Sequence, residues 1–118
     1  MVKCLIIHPD NRIEEADLNG YKDFSDTVGG MLEFLWVSNT INAYINENGK
    51  ELSLPVNDIA TDLCVICQTG LAANDFIVGP MIVFGLPDNE GKETDISDAN
   101  AWQIYILAKA HTLEPNRE

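Results

Sequence analysis

Cys64-Val65-Ile66-Cys67 is the spacing in this chain that comes nearest to chemistry, because a CxxC pair can carry thiol–disulfide exchange or half of a zinc site. Exchange needs a thiol at a helix N-terminus, where the dipole lowers its pKa. Here the pair falls late in a predicted helix, after Asn57, Asp58 and Asp62. Those carboxylates raise a thiol pKa rather than lower it. Zinc would need two further ligands at paired spacing, and Cys4, His8 and His111 are widely separated along the chain. Two cysteines one helical turn apart, without such partners, read as core packing.

The other chemically capable residues point the same way. His8 ends the first apolar run before a Pro9-Asp10 turn, and His111 ends the last helix, where a cation suits the dipole. Neither is accompanied by a nucleophile motif. Asp88-Asn89-Glu90-Gly91-Lys92-Glu93 resembles half of a calcium loop, but Lys92 stands where a ligand belongs. The glycines form no phosphate cradle. The sequence therefore predicts no catalytic residue, no metal site and no cofactor, and a protein that is not an enzyme, with a small hydrolase or transferase as the remaining alternative.

What remains is a binding surface. Ile41, Ala43 and Ile45 alternate with Asn42, Tyr44 and Asn46, which predicts a strand with one face in the core and one polar face. Tyr44 and Asn46 on that face, with Lys50, Asn57 and Arg12 on neighbouring elements, are the candidate ligand-binding residues. Turn and helix-cap roles compete for Asn46 and Asn57.

Nineteen Asp and Glu against seven Lys and Arg give a formal net charge of −12 in 118 residues. No window clusters Lys or Arg, so direct binding to nucleic acid, which needs cations to displace phosphate counterions, is excluded as a reading. An anionic membrane surface is disfavoured for the same reason. The acidity keeps a small protein soluble, or it imitates nucleic acid toward a basic partner. Three cysteines make no even disulfide set, Met1 to Ile7 is too short for a signal peptide core, and no apolar run reaches membrane-spanning length. A cytoplasmic protein is the expectation.

The elements follow from periodicity. Val2–Ile7 and Arg12–Leu18 predict a hairpin, and Tyr21–Val28 a short helix ended by Gly29-Gly30. Met31–Val37 and Ile41–Asn46 predict strands, followed by an Asn48-Gly49 turn. Asn57 starts a helix whose expected buried stripe is Ile59, Leu63, Ile66 and Cys67. Residues 75–86 predict a central strand interrupted at Gly79-Pro80. Ser97 caps a last helix to about Ala110, with Trp102, Tyr105, Ile106 and Lys109 at helical spacing. The fold class is α+β: a single compact domain over residues 1–112, with a mostly antiparallel sheet of about five strands and two or three helices. Residues 113–118 are expected to form a loose tail.

One set of residues goes beyond these generic signals. Asn46-Glu47-Asn48-Gly49-Lys50, Leu54-Pro55-Val56-Asn57 with Ala60-Thr61, and Asp75-Phe76-Ile77-Val78-Gly79-Pro80 together resemble a family of short uncharacterised proteins from tailed phages, plasmids and bacteria. His8-Pro9-Asp10 and Gly29-Gly30 resemble it too. The likeness covers residues 2 to 86 and leaves out the segment from Ser97. It implies an accessory protein of a mobile element and carries over no catalytic residue. Two functions follow as expectations. One is a non-catalytic binding protein, a possible homo-oligomer, that sequesters a small host molecule such as a nucleotide signal, as counter-defence. The other is an acidic interaction module that mimics nucleic acid and blocks a basic host protein.

Overall fold

The computed structural model describes residues 1–71 and 74–112. Its elements run β1 (Val2–Ile7), β2 (Ile13–Leu18), α1 (Gly20–Val28), β3 (Leu32–Trp36), β4 (Asn42–Asn46), α2 (Asp58–Ile66), β5 (Met81–Phe84) and α3 (Asp98–Thr112). All strand pairs are antiparallel, in the spatial order β2-β1-β5-β4-β3. The expected α+β domain with its antiparallel sheet is therefore the fold. The tail expected over residues 113–118 lies outside the described residues.

Period-two alternation splits each strand between two cores. Leu5, Ile7, Ala43, Met81 and Val83 point toward α2 and α3, which bring Ile59, Leu63, Cys64, Ile104 and Ala108. Cys4, Ile6, Ile82 and Phe84 point the other way, toward Phe24 and Val28 of α1. A sheet covered on both faces explains why β5 is apolar at every position.

That second layer corrects the reading of β4. The face carrying Asn42, Tyr44 and Asn46 was expected to be polar and open, but α1 lies over it. The Tyr44 ring makes an edge contact with Phe24, centroids 5.3 Å apart, and packs beside Phe84. Asn42 and Asn46 are buried. The rings of Phe24, Tyr44 and Phe84 outweigh the two Asn amides, because burying a ring removes far more apolar surface from water than an Asn amide retains.

Two helix faces also differ from expectation. In α2 the buried stripe is Ile59, Ala60, Leu63 and Cys64, while Val65 and Ile66 are exposed. In α3 the inward residues are Ile104 and Ala108, and Trp102 and Ile106 face outward. Both helices carry apolar residues on two sides, so periodicity alone could not choose the inward one. The expected strand over 75–86 shortens to Met81–Phe84. Before it, Val56 bridges Val78 and the Gly79 N–H donates to the Pro55 carbonyl, 2.8 Å. Gly29 takes φ +83° at the end of α1, as the glycine pair suggested, and its N–H donates to the Ser25 carbonyl.

Candidate functional site

Lys50 lies on the turn after β4, and the chain then doubles back through Leu54-Pro55 to start α2. This places Lys50 against the segment 75–78 that leads into β5. The Lys50 ammonium is paired with the Asp75 carboxylate and sits 4.9 Å from the centroid of the Phe76 ring. The hydrogen bond from Lys50, helped by the Phe76 N–H, holds the Asp75 carboxyl below its usual range. Both side chains are open to solvent, so screening leaves the pair little weight in stability.

Around this pair is an open cleft of about 200 Å³ on the sheet face shared with α2 and α3, where Leu35 and Ile45 form its floor. Glu33, Glu47, Glu51 and Asp75 line it, with Lys50 the single cation among them. The field in the cleft is therefore negative, which favours a cation and opposes a phosphate. A second concavity, about 450 Å³, runs between α2 and α3 and is lined by uncharged residues including Ile66, Ile106, Asn100 and Gln103.

The five residues expected to bind ligand do not gather at one place. Lys50 is in the cleft. The Asn46 backbone borders it, but the side chain turns to the α1 side: Nδ2 donates to the Val28 carbonyl and Oδ1 accepts the Asn48 N–H. Tyr44 is on the α1 side as well, its hydroxyl donating to Glu93 Oε2 at 2.7 Å. Arg12 lies in the β1–β2 turn between Asp10 and Glu14. Asn57 is fully buried, where Nδ2 donates to the carbonyls of Ile7 and Gly79 and Oδ1 accepts the Ala60 N–H. Sequence reasoning missed Asp75 and Phe76 as partners of Lys50. The signal was there in the composition of that segment, but pairing across 25 residues is set by tertiary structure.

Burial, then the Glu93 hydrogen bond, pushes the Tyr44 phenol up to about 12. Absorbance titration at 295 nm should show a last-titrating tyrosine that Tyr44→Phe removes and Glu93→Gln moves to lower pH. Because the folded state holds this proton more tightly, the stabilisation it brings is complete below pH 10 and fades as pH rises toward about 12. A phenol that titrates near 10 in the folded protein would contradict the buried hydrogen bond.

The cysteines match the packing reading. Burial pushes the Cys64 thiol up to about 11 and the Cys4 thiol to about 12. His8 pairs with Glu14 at 2.8 Å and His111 with Asp62 at 2.7 Å. Asp88 uses one carboxylate oxygen to accept the N–H groups of Glu90 and Lys92, which closes a turn. Among the described residues no three His, Cys, Asp or Glu side chains are grouped to hold a metal, and no helix is long and apolar enough to cross a membrane.

No curated protein and no solved structure matches the chain. A family model described as a domain of unknown function, DUF3846, matches residues 2–107. The match extends beyond the motif likeness into α3, so the first part of the last helix, to residue 107, is in the shared domain. The chain belongs to the DUF3846 family.

Proposed function

We propose that this protein is a non-catalytic interaction module whose acidic cleft takes a lysine or arginine side chain of a basic partner. The observation that carries the reading is the position of Lys50: an alkylammonium already occupies the cleft, on a carboxylate and over an aromatic ring. That is the arrangement by which acidic and aromatic groups recognise a cation. Lys50 is then an internal stand-in, and a partner side chain displaces it. The net charge of −12 adds long-range attraction for a basic surface. The motif likeness to phage and plasmid proteins supports a setting as a cytoplasmic accessory protein of a mobile element. There the module would cover the nucleic-acid site of a host protein.

Sequestration of a nucleotide signal fits the geometry less well. A cleft of about 200 Å³ is below the roughly 300–1,000 Å³ of ordinary ligand pockets, and its carboxylates repel phosphate. The test is binding of a synthetic lysine-rich peptide at low and high salt. Affinity should fall at least about tenfold between 20 and 300 mM salt. It should weaken about fivefold or more in Asp75→Asn/Glu47→Gln and tighten in Lys50→Met, which vacates the ring. Equal affinity at both salt levels, or in the double variant, would rule the reading out.

A further inference from the structure

β3 is an edge of the sheet, and its free side has a parity that the register fixes. The Glu47 N–H donates to the Met31 carbonyl and the Val37 N–H to the Ile41 carbonyl, so the odd-numbered residues of β3 make the ladder to β4. Leu32, Phe34 and Trp36 therefore aim their main-chain N–H and C=O groups away from the sheet. Their side chains all lie on the α1 side, and Phe34 and Trp36 are 54% and 47% exposed. Proteins ordinarily blunt such an edge with charge or proline. The opposite edge is blunted in that way: Glu14, Glu15 and Asp17 of β2 are exposed. β3 has one charge, Glu33.

We propose that β3 pairs antiparallel with β3 of a second copy about a two-fold axis at Phe34, making one continuous sheet through both molecules. In this register Phe34 faces the partner's Phe34, Leu32 faces the partner's Trp36, and Glu33 faces the partner's Leu35. About six main-chain hydrogen bonds form, since each such antiparallel pair exchanges two. The edge is its own complement: although a net charge of −12 on each copy opposes association, about this axis apolar residues meet apolar ones and no β3 carboxylate lies directly opposite its copy. A β2 pairing centred at Ala16 would set Glu15 against the partner's Asp17. Cross-strand aromatic pairs on the exposed face add to the ladder. The interface stands independently of the basic-partner reading. It does place the two acidic clefts beside one axis, because Glu33 and Leu35 line them.

Analytical ultracentrifugation of the full chain at about 100 μM should give twice the 13.1 kDa chain mass. Phe34→Lys should give a monomer with an unchanged circular dichroism spectrum, because residue 34 makes no ladder bond to β4, and a lower melting temperature, because the Phe34 ring's edge contact with Tyr44 and the dimer's contribution to stability are both lost. In a Cys67→Ser background, Phe34→Cys should oxidise to a covalent dimer, since hydrogen-bonded antiparallel residues lie about 5.5 Å apart between Cα atoms and disulfides span roughly 4.4–6.8 Å. Glu33→Cys, two residues out of register with its copy, should not. A monomeric parent chain at 100 μM would overturn the proposal. So would a dimer that survives Phe34→Lys, which would put the interface elsewhere, or a cross-link that forms equally well from residue 33.

Discussion

Asn57→Ala should lower the unfolding free energy by about 3–5 kcal/mol, among the largest losses a single side chain here can cause. The cap on α2 accounts for about 1 kcal/mol of this. The rest comes from the carbonyls of Ile7 and Gly79, which lose the donor that binds them at 2.8 Å in a site without solvent. A buried acceptor stripped of its partner costs about 1–3 kcal/mol. Asn57→Asp separates the two contributions. Aspartate caps helices as well as asparagine does, but its carboxylate has nothing to donate to those carbonyls and is repelled by them. The expected result in urea denaturation is that Asp is no better than Ala. An Asn57→Asp protein as stable as the parent would mean that capping is the whole role of this residue.

Gly85→Ala should cost about 2–3 kcal/mol, for a reason of space rather than hydrogen bonding. A Cβ there would lie 2.5 Å from the Asp95 carbonyl oxygen and 2.6 Å from Thr94 Oγ1. The nearer neighbour is main chain, which cannot swing aside as a side chain can. Segment 94–96 is held close by the bond from the Gly85 N–H to the Thr94 carbonyl, 2.9 Å, and by the bond from the Ile96 N–H to the Lys3 carbonyl, 3.0 Å. Ile96 itself is in the core. Pushing the segment out therefore loosens Ile96, and its amide should exchange faster in proportion to the stability lost. Unchanged denaturation and exchange in Gly85→Ala would show that the loop accommodates a methyl group.

The strands and helices were legible in the sequence because their signals are local. Val2–Ile7 is apolar apart from Lys3 and rich in β-branched residues, Asn57 and Ser97 each supply the cap that starts a helix, and Gly29 supplies the left-handed residue that ends one. The layer each face meets was not legible. Tyr44 and Asn46 have the alternation of an open polar face, and only the approach of Phe24 from α1 turns that face inward. Ile66 and Trp102 likewise look like core residues in a helix, although α2 and α3 turn other sides to the sheet. The candidate site suffered most from this. Of five residues chosen for their chemistry, Asn46 and Asn57 spend their polar atoms on carbonyls and amides of the fold. Lys50 alone stands in the cleft, beside Asp75 and Phe76, whose contact with it is long-range and leaves no periodic trace.

The strand order also sets when this protein can fold. Among the described residues β5 is the last strand to be synthesised; it inserts between β1 and β4 and joins the β1–β2 hairpin to the β3–β4 hairpin. A lone hairpin is marginal in water, so a nascent chain that has not yet released Met81–Phe84 from the ribosome has two unstable halves and no common sheet. Closure then comes in one late step built on contacts far apart in sequence, the kind that folds slowly. During that interval the aromatic edge at Phe34 and Trp36 is open to chaperones and to neighbouring chains alike.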